Sequence, residues 1–283
     1  MQSLWFGMNC ACRNLLNSAR ICNPEEMSMD GNYLLSKMTW PEVEEILKET
    51  DIALVPVGST EQHGPALPVD NDAFIATEFT HRVAESIWEK QKVVVTPTIS
   101  FGYSPHHMQF KGTITIREST LANMIVDVCT SLEQHGFKRI ILVNGHGGNS
   151  TAISNALHTM NNVVMAKIFS VNWWDLASDK IAEVATRPVF HACDMETSVA
   201  WFLGQRVLED RRVDEAGRKI VEGFVEPDML APAPKASVAF MMKYVTESGV
   251  VGHSTKATKE KGKQIVEVVL ERLQEFILKV ARA

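Results

Sequence analysis

Glu61, His63 and Asp72 are the first residues along the chain whose types and spacing could do chemistry together. They lie in Gly58-Ser59-Thr60-Glu61-Gln62-His63-Gly64-Pro65 and its continuation to Asp72, directly after the apolar run Ile52 to Val57. In extended backbone, residues two apart share a face, so Glu61 and His63 point the same way. Asp72 returns after a loop containing Gly64, Pro65 and Pro68, just ahead of a helical pattern. One imidazole and two carboxylates form an oxygen–nitrogen donor set for a divalent cation. An ordinary polar loop could hold the same three residues, and this segment alone does not decide between the two.

Two more clusters change the balance. Asn144-Gly145-His146-Gly147-Gly148-Asn149 follows a second apolar run and lifts His146 on a glycine-rich turn. Such a turn can cradle phosphate, but its spacing matches neither the P-loop nor the dinucleotide fingerprint, so a metal-ligating His146 is the better reading. Further on, His191 and Glu196 straddle a helix start. Glu196 could cap that helix or complete a coordination shell. Together, Glu61, His63, Asp72, His146 and Glu196 supply three carboxylates and two imidazoles. That is more than one closed tetrahedral site uses, and it suits two ions, Zn²⁺ and/or Mn²⁺, that share Asp72 as a bridging carboxylate. Water held between two such ions loses a proton near neutral pH and becomes a nucleophile. His191, outside the ligand set, could protonate the leaving group. His191 and Glu196 are thus the catalytic candidates. Trp173, Trp174 and Asp175 end another strand, where Trp174 and Asp175 could line a pocket and at least one Trp could equally be core or interface.

These side chains need a scaffold that gathers strand ends. Apolar runs at Ile52 to Val57, Val93 to Val95, Arg139 to Val143 and Lys167 to Asn172 read as strands, with Thr113 to Ile116 as an edge strand or hairpin arm. Between them, helices are predicted from Thr39, over Ala73 to Glu89, over Ser119 to Gly136 with Ser119 as cap, and from the Asn149 turn through Met160. Others follow from Ile181, over Val199 to Leu208 and over Lys256 to Val280, whereas 213–252 resists assignment. Alternation of this kind gives an α/β fold with a mostly parallel sheet, in which ligands bind beyond the carboxyl ends of the strands. His81, His135 and His158 fall in helical stretches and read as structural; His106 reads as a surface or supporting residue.

Composition sets limits on partners. The chain has 283 residues and a formal net charge of −6, with no clustered Lys and Arg, which argues against nucleic acid. No apolar run is long enough to span a membrane. Of five cysteines, Cys10, Cys12 and Cys22 crowd the start, so no disulfide framework is implied and a reducing cytoplasm fits best. Residues 1–30 differ in composition from the rest and read as a poorly ordered extension; 31–283 read as a single domain.

Glu61-Gln62-His63-Gly64 with Asp72, then Asn144-Gly145-His146-Gly147-Gly148-Asn149, then His191-Ala192-Cys193-Asp194-Met195-Glu196, in this order, resemble the creatininase (creatinine amidohydrolase) family. The resemblance implies a three-layer α/β/α fold, a dinuclear metal site on the five residues named above, and hydrolysis of a C–N bond in a small cyclic amide or formamide. It also implies a homohexamer, a proton donor at His191 and substrate contacts from Ser104 and His107. Creatinine-hydrolysing members carry an aromatic and a glutamate directly after the metal histidine. Here Gly147 and Gly148 stand there, which places Gly147 on the substrate side and counts against creatinine itself. The alternatives are the opening of a C–C bond in a cyclic keto-inositol with the same metals, and a non-catalytic metabolite-binding relative.

Overall fold

Strand β1 (Ile52–Val57) is apolar throughout and every one of its residues is buried, as a strand covered on both faces requires. A computed structural model describes residues 33–231 and 236–283; the readings of the N-terminal extension and of Cys10, Cys12 and Cys22 lie outside them. Before β1 comes α1 (Trp40–Ile46), started as expected by Thr39, whose backbone N–H and hydroxyl both donate to Glu42 at 2.6 Å. After β1 the order is α2 (Asn71–Ile87), β2 (Val94–Val95), α3 (Glu118–Gln134), β3 (Arg139–Asn144), α4 (Ser150–Met160), β4 (Lys167–Asn172), α5 (Trp173–Leu176), α6 (Ser178–Val184) and α7 (Asp194–Leu203). Then β5 (Asp214–Glu215), α8 (Met242–Val245), β6 (Gly252–His253) and α9 (Lys259–Val280) close the chain.

The main sheet has the order β2-β1-β3-β4 and is parallel throughout. Alternate residues serve opposite faces. Ile52, Leu54, Ile141 and Val143 pack with α2, α7 and α9, while Ala53, Val55, Ile140 and Leu142 pack with α3 and α4. The result is the expected three-layer α/β/α arrangement. Its register matters for function: Val57 is opposite Asn144, and Asn144 is opposite Asn172, so three strands end level along one edge. At the opposite edge Arg139 grips Asp51 through one guanidinium nitrogen at 2.6 and 2.7 Å.

Several boundaries differ from the sequence reading. Helix α3 begins at Glu118 with Arg117 as its cap, because an acid in the first turn suits the positive end of the helix; Ser119 lies inside that turn. Helix α7 begins at Asp194, five residues earlier than read, and stops at Gly204, whose φ of 105° reverses the chain. Residues 113–116 form only an isolated antiparallel bridge, Thr60 with Ile114, in place of a strand. Residues 213–252, unassigned from sequence, supply β5, paired antiparallel with β6.

Helix α9 crosses α7 at Gly262, where a Cβ would stand 1.9 Å from the Ser198 carbonyl oxygen. Gly262→Ala is therefore expected to separate the two helices and cost about 1–3 kcal/mol, the usual range for overpacking. Denaturant unfolding measures this directly, and an unchanged midpoint would show that the seam yields without cost.

Candidate metal centre

Strand β1 runs straight into the Glu61 segment, and α2 brings Asp72 back over the level strand ends in its first turn. The approach is close. A Cβ on Gly145 would sit 2.3 Å from the Asp72 carbonyl oxygen, so the turn after β3 tolerates no side chain there. Asn149 ties the two turns together by donating to Gly58 O at 2.9 Å and accepting from the Tyr103 N–H at 3.0 Å. His191 arrives on the loop before α7, bridged to Val251 by backbone bonds of 3.2 and 2.8 Å. The next residue, Ala192, has a φ of 48°, strained for a residue with a Cβ. Its N–H donates to the Glu196 carboxylate, so Glu196 holds the residue ahead of the helix cap Cys193, not the cap itself.

All five residues singled out as ligands meet. Glu61, Asp72 and His146 form one group whose donor atoms lie within 4.8 Å of each other; His63, Asp72 and Glu196 form another, and Asp72 belongs to both. Glu61, His63 and His191 form a third such group. His63 Nε2 is 3.0 Å from Asp72 Oδ1, and His146 lies 3.1 Å from Asp72 through Nδ1 and 3.2 Å from Glu61 through Nε2. Because a carbonyl only accepts, the 3.1 Å contact of His63 Nδ1 with Glu61 O places a proton on Nδ1 and turns Nε2 toward the carboxylates, where it would offer its lone pair to a cation in place of a second proton. Glu61, His63 and Asp72 are 1%, 1% and 2% exposed. Yet both Glu61 carboxylate oxygens, His63 Nε2 and Asp72 Oδ2 are buried without an aligned hydrogen bond. Orphan donors of this kind, converging from separate elements, fit a divalent cation.

The electrostatics agree. Burial pushes the Glu61 and Glu196 carboxyls up to about 7, with His146 and His63 respectively pulling in the other direction. Burial works against a charged His63 or His146, but Asp72 beside the first and Glu61 beside the second lift them to about 10 and about 9. Burial would also raise Asp72; the two imidazoles overcome it and hold that carboxyl well below the usual range. The pocket is negative enough to draw protons onto its histidines. His191 and His107 behave oppositely: burial, then neighbouring histidines, drives both far below the ordinary imidazole value.

Ser104 is buried in the cluster, with its hydroxyl 2.6 Å from Ser59 Oγ and 3.1 Å from His146 Nε2. His107 Nε2 stands 3.5 Å from Glu61 Oε1, and His191 Nδ1 stands 3.8 Å from the same oxygen. His106 stacks on His146 at 6.1 Å, as a supporting residue would. Gly147 faces open space. Trp174 and Asp175 occupy the same sheet edge but, among the described residues, share no hydrogen bond or ring contact with the five. Asp175 accepts from Asn172, which accepts from Asn144, and Trp174 packs edge-on against the buried Trp173. Trp173 is therefore core, as one of the two readings required. The sequence reading passed over Gln62, which lies within hydrogen-bond distance of both His107 and His191. Its position between Glu61 and His63 was the available signal.

Comparison with known proteins bears on this geometry. The creatininase family model, described as creatinine amidohydrolase, matches residues 36–277. The 3-dehydro-scyllo-inosose hydrolase of Thermotoga maritima is 30% identical over 264 residues, covering 85% of this chain and 81% of that protein. The creatinine amidohydrolase of Pseudomonas putida is 26% identical over 271 residues, covering 88% and 97%. A solved creatininase with Mn superposes with a TM-score of 0.73 at 26% identity, covering 89% of this chain and 99% of that one. Strand order, site and likeness over most of the length agree, and the chain belongs to the creatininase family of hydrolases.

Proposed function

We propose that the chain is a metal-dependent amidohydrolase that cleaves a C–N bond in a small cyclic amide or formamide. The observation that carries this reading is the pair of donor groups that share Asp72, with unpaired buried lone pairs on Glu61, His63 and Asp72. Glu61, Asp72 and His146 would hold one divalent ion, and His63, Asp72 and Glu196 a second, with Zn²⁺ and Mn²⁺ both suited to oxygen and nitrogen donors without thiolate. Bound there, the ions would supply a more acidic water and an electrophilic pull on the substrate carbonyl.

The chain's own residues do the rest. His191, uncharged at neutral pH because it is buried, presents Nδ1 toward Glu61 and is placed to take a proton from the attacking water. As the water oxygen joins the carbonyl carbon and the C–N bond breaks, the same imidazolium returns that proton to the departing nitrogen. His107, Ser104 and the open turn at Gly147 would contact the substrate. Trp174 and Asp175 stand further out along the sheet edge and would act only on a substrate long enough to reach them. A glutamate after His146 is sterically unsuited to this turn, since a Cβ on Gly148 would lie 2.3 Å from His146 Nε2 and 2.5 Å from the Tyr103 carbonyl. This supports a substrate other than creatinine. The same reading includes the homohexamer that the family resemblance implies and, from cysteine usage, net charge and hydropathy, a cytoplasmic setting without nucleic-acid or membrane partners.

A second reading has its own support in the Thermotoga relative. There the same site would open a cyclic keto-inositol by breaking a C–C bond, and His191 would return its proton to carbon.

Two measurements test the proposal. Glu61→Gln removes a charged donor from one group and is expected to lower Mn²⁺ or Zn²⁺ affinity by more than about a hundredfold, beyond what loss of a supporting residue costs. The fold should survive by circular dichroism, and undiminished metal content would refute the assignment. The second is a product screen of cyclic amides, formamides and cyclic 1,3-diketones with the Mn²⁺- or Zn²⁺-loaded protein. Released amine or formate is expected; a ring-opened keto acid alone would establish the C–C reading, and a protein that takes up no metal would be a binding relative.

A further inference from the structure

We infer that Gln62 is a positioning residue that makes His107 face Glu61 with an N–H and His191 face it with a lone pair. The orientation of the Gln62 amide is set by Gly64, whose N–H donates to Gln62 Oε1 at 2.9 Å. Gln62 Nε2 therefore points the other way, where three atoms lie in range: Gly249 O at 3.1 Å, His107 Nδ1 at 2.9 Å and His191 Nε2 at 3.0 Å. An amide nitrogen has two hydrogens. His191 Nε2 is also 2.8 Å from the Gln62 backbone carbonyl, which can only accept. His191 must then carry its proton on Nε2 and give it to that carbonyl; a bare Nε2 would set two lone pairs against each other.

The two Gln62 hydrogens are left for Gly249 O and His107 Nδ1. His107 Nδ1 accepts, so the proton of its neutral ring sits on Nε2, 3.5 Å from Glu61 Oε1. Both imidazoles are thus Nε2–H tautomers, turned in opposite senses. Their centroids are 4.4 Å apart, and their working edges flank one carboxylate oxygen. One edge donates to a substrate oxygen while the other takes up and returns a proton. This catalytic consequence rests on the hydrolase reading above; the tautomers do not.

The loop that backs Gln62 is itself pinned. A Cβ on Gly249 would overlap Gln62 Oε1 at 1.9 Å, and Gly249 has a φ of 88°. Glu215 holds the same loop by accepting from the Thr246 and Ser248 hydroxyls and from the backbone N–H groups of Glu247 and Ser248.

The test is ¹⁵N NMR of the full chain labelled at histidine and loaded with diamagnetic Zn²⁺, with resonances assigned through His107→Asn and His191→Asn. Both residues are expected to show a protonated Nε2 and a bare Nδ1. In Gln62→Glu the carboxylate can only accept, so His107 should move its proton to Nδ1 while His191, held by a backbone carbonyl, stays unchanged. Gln62→Met removes the donor without adding charge and should leave His107 in a tautomer mixture, again sparing His191. A wild-type His107 with its proton on Nδ1, or a His107 that ignores both substitutions, would overturn the inference. Zinc content is read on the same samples. A protein that binds no zinc would count against the metal reading alone, since the tautomers are still observed in the unloaded chain.

Discussion

Two buried carboxylates, Glu61 and Asp72, and a half-buried third, Glu196, are gathered in one cluster, and the rest of the molecule is arranged around that repulsion. Each buried carboxylate costs several kcal/mol in lost hydration unless positive charge or donors replace the water. Two imidazoles cannot replace it fully, since Glu61 retains two unpaired oxygens and Asp72 one. The scaffold helps where it can. Asp72 and Glu196 both sit in the first turn of a helix, α2 and α7, where the backbone dipole favours negative charge. Glu61 has no helix, and burial leaves its carboxyl at about 7. With both its oxygens unpaired it has much to gain from a cation, which makes it an informative residue to change.

The fold answers this constraint through register. Val57, Asn144 and Asn172 end level, so the chain leaves three adjacent strands at one height and each exit contributes polar groups to the same edge. Asp72 then has to come in from above without displacing the turns. Gly145 permits that approach, and the strained backbone of Ala192 turns His191 inward from the far side. Strain of order 1–3 kcal/mol at one non-glycine residue persists only where the surroundings enforce it, here the Val251 bridge and the Glu196 contact.

Much of this was legible because it is local. Ile52 to Val57 is an uninterrupted apolar run, Thr39 and Glu42 form a capping pair, and Glu61 and His63 have the two-residue spacing of a shared face. The long amphipathic α9 announces itself through Ile265, Val269, Leu273 and Ile277, all buried. What escaped was set by contacts distant in sequence. The start of α7 at Asp194 depends on Lys261, which pairs with the buried Asp194 carboxylate at 2.6 Å across 67 positions. The strands β5 and β6 are two residues each and exist only because they pair with one another. Gln62 reads as a spacer between two ligand candidates until Gly249 and His191, 187 and 129 positions away, are brought against it.

Positions at the sheet edge that stand clear of the ligand candidates would let one family carry several activities. The ligand candidates are locked on all sides: Asp72 by the Gly145 turn, His146 by Ser104 and Tyr103, His63 by the Glu61 carbonyl. Change there disturbs charge balance as well as packing. A Cβ on Gly147, by contrast, would meet nothing within 4 Å, and among the described residues Asp175 is linked to the centre through Asn172 and Asn144. Substitutions at such positions alter what the edge of the sheet can contact without altering the charges buried beneath it. On the proposed reading, a hydroxyl, a ring nitrogen or a formyl group would be selected at the rim while the same carboxylates and imidazoles would serve the bond-breaking step. On that physical ground the relatives named for inosose and for creatinine are compatible, and the Gly147–Gly148 turn is where this chain departs from the creatinine-cleaving pattern.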